Sequence, residues 1–224
     1  MCGRFTLKVD PNTVYEALEL GEMPAKLEPR YNIAPSQPVA VVTDPALRKV
    51  EMFRWGLIPS WAKDPSIANK LINARAETVT EKPSFRTAFA KRRCLVIADG
   101  FYEWQKRSKA QGGSQPYYFQ LDSHDPFAFA GLWELWRDPE GEVVHSCTLI
   151  TCAANDLVAP VHARMPVILG EESLWQWLEP DASEDTLHTL LQPYPAERMA
   201  AYPVSDLVNS PYNDSPECVE PVAA

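Results

Sequence analysis

The run Val143–Cys152, VVHSCTLITC, is the longest of six stretches in which β-branched and aromatic residues crowd together. The others are Val39–Thr43 (VAVVT), Val50–Trp55 (VEMFRW), Cys94–Ala98 (CLVIA), Tyr117–Leu121 (YYFQL) and Phe127–Leu132 (FAFAGL). Pro, Gly and Asp separate them, so each reads as a short strand between turns. So many short strands predict a curled, barrel-like sheet, mixed or antiparallel. Helical periodicity is confined to Pro11–Leu20, with Asn12 as a candidate cap, and to Glu171–Leu178 and Ser183–Leu191. The expected fold class is α+β: one domain over residues 1–208 with short flanking helices. Lys106–Gln115 (KRSKAQGGSQ) reads as a flexible loop, and residues 209–224, which contain PYNDSPECVEP, as a flexible, Pro-rich tail.

The chain has 224 residues, 46% hydrophobic and 23% charged, which excludes disorder, collagen and coiled coil. Its 21 prolines against 9 glycines point to rigid, ordered loops. A net charge of −9 argues against a nucleic-acid partner. That average hides a split: residues 1–110 hold 18 Lys and Arg against 12 Asp and Glu, whereas residues 111–224 hold 3 against 18. The first part can therefore carry a basic surface while the second keeps the protein soluble, although solvated faces alone give the same split. No signal peptide or membrane span is legible, and a cytoplasmic protein is expected. The five cysteines are scattered, without a C-x-x-C pair or a Cys/His cluster, so neither a disulfide framework nor a metal site is expected.

Five segments can carry chemistry. Cys2, once Met1 is removed, bears an α-amine and a thiol on one Cα, both partly nucleophilic near neutral pH. Such a 1,2-aminothiol captures an aldehyde as an imine and closes to a thiazolidine, or attacks an acyl group with its own amine as base. An early strand residue would look the same. In Leu71–Glu77 (LINARAE), strict alternation sets Asn73, Arg75 and Glu77 on one face, suited to orienting a sugar and a phosphate, or simply a solvated edge. Glu103 lies among the aromatics of Ala98–Trp104 (ADGFYEW), where desolvation lifts a carboxyl toward acid/base duty; pairing with an Arg is the alternative. His162 and Arg164 stand two apart in Pro160–Pro166 (PVHARMP), so extended backbone points both the same way. Arg54–Lys63 (RWGLIPSWAK) interleaves Trp with basic residues, as base-stacking platforms do, although most tryptophans belong to cores.

Taken together, MCGRF at the start, RYNIAP at Arg30–Pro35, RWGLIPSW at Arg54–Trp61, INARAET at Ile72–Thr78, ADGFYEW at Ala98–Trp104 and HARMP at His162–Pro166 resemble the SOS response-associated peptidase (SRAP) family of abasic-site processing proteins. The match spans nearly the whole chain, in the short bacterial form. It implies a SRAP-like domain in which Cys2 attacks the ring-opened aldehyde of an abasic site in single-stranded DNA and forms a stable thiazolidine crosslink. Asn73 then corresponds to the residue positioning the Cys2 amine, Glu103 to the acid/base, and His162 to the group protonating the sugar oxygen. Arg4, Arg75, Arg86 and Arg164 correspond to phosphate contacts, and Asn32, Pro35 and Trp61 to residues near the lesion or displaced strand. The resemblance implies a monomer that needs no cofactor, metal or membrane and joins the nucleoid when engaged on DNA. It also leaves room for a cysteine-type self-cleavage that removes Met1. Two other readings stay open: a peptidase or amidohydrolase with an N-terminal cysteine, able to cleave other proteins or amides, and a non-covalent reader of modified bases.

Overall fold

The computed structural model describes residues 2–108 and 113–222. In chain order its first half holds β1 (Phe5–Leu7), α1 (Pro11–Ala17), β2 (Arg30–Ile33), β3 (Pro38–Val42), β4 (Val50–Trp55), β5 (Asn73–Arg75), α2 (Arg86–Lys91) and β6 (Arg93–Ala98). Next come β7 (Gly100–Lys106), β8 (Ser114–Leu121), β9 (Phe127–Arg137) and β10 (Val143–Ala153). The last are β11 (Arg164–Pro166), β12 (Ile168–Leu169), α3 (Glu171–Leu174), α4 (Glu184–Leu190) and β13 (Met199–Pro203), with short 3-10 turns between.

Five strands close on themselves. β4 pairs β3, β3 pairs β6, β6 pairs β9 and β9 pairs β10, all antiparallel. The ring is completed by the parallel pairing of β10 with β4, Cys147 facing Trp55. The result is the mixed α+β barrel that the strand-rich sequence predicts, and closure removes the exposed edges of an open sheet. Phe5 plugs it, its ring 5.1 Å from Trp55 and 5.6 Å from Phe129, both edge-on.

The second sheet is antiparallel, in the order β13-β8-β7-β1-β2. β6 leaves the barrel at Ala98 and β7 enters the second sheet at Gly100, so the two sheets share one nearly continuous strand. The joint is Asp99, whose buried carboxylate accepts from Thr6 Oγ1 and from the backbone amides of Lys8 (2.6 Å) and Val9 (2.8 Å). At Gly100 a Cβ would lie 2.1 Å from the Tyr118 hydroxyl, so only glycine fits there.

Several expectations change. α1 is capped by Asp10, not Asn12: Pro11 takes the first helical position and the Asp10 carboxylate receives the amides of Asn12 and Thr13. The helix stops at Ala17, and Glu19 adopts a left-handed φ of 48°. The helix expected over Glu171–Leu178 divides into α3 and a 3-10 turn, Gln176–Leu178. β7 reaches Lys106 and β8 begins at Ser114, so strands claim both ends of the expected loop; residues 109–112 lie outside the described residues. The tail over 209–222 does not splay away: Cys218 is buried, and Asp214 pairs with Arg30 and accepts from the amides of Tyr31 (2.6 Å) and Asn32 (3.0 Å). Its prolines shape a strap whose polar groups find partners on β2. Among the described residues no helix is long and apolar enough to cross a membrane, and no group of three His, Cys, Asp or Glu could hold a metal.

Candidate active site

Cys2 lies three residues ahead of β1, and the register of β1 on β7, Phe5 opposite Phe101, carries residues 2 and 3 alongside Glu103. Tyr102 N–H donates to Arg4 O at 3.0 Å, continuing the ladder beyond the strand. On the other side β5 lies parallel to β10, Asn73 opposite Leu149, and the Asn73 amide donates to Cys2 O at 2.8 Å. His162, in the turn before β11, brings Nδ1 to 3.9 Å from Glu103 Oε1. Four residues predicted to carry the chemistry, separated by as many as 160 positions, thus form one cluster at the junction of barrel and second sheet.

Burial sets their chemistry. Cys2 is fully buried, which pushes its thiol well up, so the sulfur rests protonated and donates to Arg4 O at 3.6 Å. Glu103 is 3% exposed, and desolvation lifts its carboxyl to about 7, where it both takes and gives protons at neutral pH. Burial also holds the His162 imidazole below its ordinary value, with the charges of Lys106 and Arg164 adding to that, although the hydrogen bond to the Arg164 backbone works the other way. Asn73 Oδ1 is buried without a hydrogen-bond partner, an acceptor beside the Cys2 backbone.

The predicted DNA contacts separate into two groups. Arg4 and Asn32 face inward: Arg4 donates to Asn32 Oδ1 (2.9 Å), Val208 O (2.5 Å) and Asn209 O (3.2 Å). The Asn32 amide, wholly buried, donates to the carbonyls of Val208, Ser210 and Asn213. They clamp the C-terminal strap to the strand behind Cys2, and both polar side-chain atoms of Asn32 and its backbone N–H are spent. Arg75 and Arg86 are exposed cations whose guanidinium groups make no hydrogen bond or ion pair among the described residues. Arg164 is committed to Glu77 by two contacts, 2.5 and 2.9 Å. Pro35 sits in the β2–β3 turn, and Trp61 beyond β4 is 58% exposed. Its neighbour Trp55 belongs to the core, donating to Ile72 O at 2.9 Å.

The expected alternation over Leu71–Glu77 is broken. β5 ends at Arg75 and Ala76–Thr78 turn as a 3-10 helix, so Asn73 is buried while Arg75 and Glu77 reach solvent. Sequence reasoning missed Asp99, Asp214 and Thr151 as anchors; only the Asp-Gly pair at 99–100 offered a local signal, that of a turn.

The family model described as SOS response associated peptidase (SRAP) matches residues 1–211. The chain belongs to the SRAP family. Within it, the chain is 46% identical to the abasic site processing protein YoqW of Bacillus subtilis, over 98% of this chain and 99% of that one. It is 37% identical to the abasic site processing protein HMCES of Gallus gallus, over 88% of this chain and 67% of the relative. A crystal structure of a Bacteroides thetaiotaomicron protein superposes with a TM-score of 0.88 at 29% identity, covering 99% of this chain and all of that one. The SRAP match stops within the strap, so Asp214 and Cys218 lie beyond it.

Proposed function

We propose that this SRAP protein processes abasic sites in single-stranded DNA by covalent capture through Cys2 after Met1 is removed. The observation that carries the reading is the packing of Asn73, Glu103 and His162 about the Cys2 backbone, with Glu103 held near 7. As the furanose opens, His162 donates a proton to the sugar ring oxygen and the anomeric hydroxyl gives its own proton to the Glu103 carboxylate, which exposes the C1′ aldehyde with no net proton gained or lost. The α-amine, rather than the protonated thiol, makes the first bond, giving a carbinolamine; Glu103 shuttles the proton from nitrogen to the hydroxyl, which leaves as water. The thiol sulfur then adds to the imine carbon while its proton passes to nitrogen, closing the thiazolidine. The net change is one water released, and the aldehyde that would drive strand cleavage is gone. Arg75, Arg86 and Trp61 are available for phosphate and base contacts, as is Arg164 if Glu77 yields it.

The test is intact mass of the denatured protein after incubation with single-stranded DNA bearing one abasic site. Expected is a species at the summed mass less one water in the wild type and none in Cys2→Ala. A strand with a tetrahydrofuran in place of the abasic sugar, which has no aldehyde, should give none. Mature wild-type protein that binds the abasic strand and yields no adduct would leave only the non-covalent reader or hydrolase readings.

A further inference from the structure

We propose that Glu77 is a positioning residue for His162, acting through Arg164; the proposal builds on the aldehyde-capture reading above. Glu77 and Arg164 are 87 positions apart and meet carboxylate to guanidinium, Oε1 to Nη1 at 2.5 Å and Oε2 to Nη2 at 2.9 Å. The same Nη2 reaches Thr151 O at 2.5 Å and Thr151 Oγ1 at 3.3 Å. Thr151 is buried and does not move freely, because β10 is paired there with Arg75 of β5 and with Pro166 of β11. The guanidinium is therefore fixed from the exposed side by Glu77 and from the buried side by the sheet.

What this fixes is the peptide of Arg164. Its N–H lies 3.0 Å from His162 Nδ1 and donates to it, and its carbonyl oxygen is also 3.0 Å from that nitrogen. When Nδ1 accepts from that amide, the neutral ring carries its proton on Nε2. With the ring charged, Nδ1–H turns to the carbonyl, and Glu103 Oε1 stands 3.9 Å away. One peptide thus serves both protonation states, and the imidazole can give up and regain a proton without leaving its place. The Glu77 side chain is 53% exposed, so the pair adds little to stability; its effect is geometric. Both terminal nitrogens of Arg164 are occupied, so a phosphate would reach them only by displacing Glu77.

A positioning role and a phosphate-shielding role separate in one set of measurements on mature Glu77→Gln, with thermal unfolding as the check that it folds. The probes are a single-stranded oligonucleotide with one abasic site, for crosslinking rate at saturation, and the same oligonucleotide with an intact base, for affinity across a salt series. Expected is a rate roughly ten- to a hundredfold lower, with affinity and salt dependence for the intact strand as in the wild type. Long-range 15N–1H spectra of the imidazoles, with His162→Gln as the assignment control, should show the Nε2–H tautomer for His162 in the wild type and a mixture in Glu77→Gln. A wild-type rate in Glu77→Gln, together with a salt slope steeper by about 0.7, the share of one phosphate on a single strand, would overturn the proposal in favour of Glu77 shielding Arg164 from DNA. Should the wild type form no adduct, the aldehyde-capture reading fails by itself and the spectra alone decide: mixed tautomers in Glu77→Gln support positioning, an unchanged tautomer refutes it.

Discussion

Glu103 makes the folded chain hold a proton that the unfolded chain releases. Its carboxyl titrates at about 7 in the fold against an ordinary 4.5. Between those values the native state binds more protons than the unfolded one, so stability falls as pH rises through the window and the full cost is present above 7. Glu103→Gln removes the cost while keeping the shape. At pH 8 it should be more stable than the wild type by up to about 3 kcal/mol, and at pH 4 no more stable. Chemical denaturation at the two pH values checks this, and an equal gain at both would mean that burial is not what raises the carboxyl. On the proposed function, the same variant should crosslink slowly and lack the inflection near pH 7 expected of the wild-type rate.

At the scale of elements, the joint between β6 and β7 decides whether Glu103 points at Cys2. Gly100→Ala would drive a methyl group into the Tyr118 ring, and relief must come from β7 or β8. A loss of roughly 1–3 kcal/mol is expected, the usual cost of overpacking, with a lower crosslinking rate as β7 shifts. Unfolding midpoints and single-turnover rates report the two, and an unaltered rate in a destabilised variant would uncouple the joint from the site. The strands themselves were legible because β-branched and aromatic clusters are local: β4 begins and ends where VEMFRW does. The parallel closure of β10 on β4 was not, since nothing in either strand names a partner so far along the chain. Likewise Cys2 could be picked out by position and Glu103 by its aromatic neighbours, but the burial of Asn73 could not, because Arg75 and Glu77 made its face look solvated. Arg4 and Asn32 were expected at the DNA because the family resemblance implied it, and no local pattern spoke of the strap. Their partners, Val208 to Asn213, are found only when the chain has folded back.

For the whole molecule, the −9 total is compatible with nucleic acid because the positive portion, residues 1–110, carries both free arginines, Arg75 and Arg86. Binding of intact single-stranded DNA should weaken with salt, and Arg75→Gln should reduce the slope of log K against log salt by about 0.7, the share of one phosphate on a single strand. Arg4→Met should leave that slope unchanged and lower the melting temperature instead, because its guanidinium holds the strap. A drop in slope for Arg4→Met equal to that for Arg75→Gln would return Arg4 to the DNA surface.

The strap has a temporal consequence. Arg4 donates to the carbonyl of Val208 across 204 positions of chain, so the strand behind Cys2 gains these supports from residues synthesised long after it. A growing polypeptide exposes its amino terminus first, yet the contacts of Arg4 with Val208 and of Asn32 with Asp214 form only when those two residues have emerged. On the function proposed above, a chain that has not yet made those contacts would hold Cys2 on a less supported strand and would capture a lesion more slowly than the folded protein.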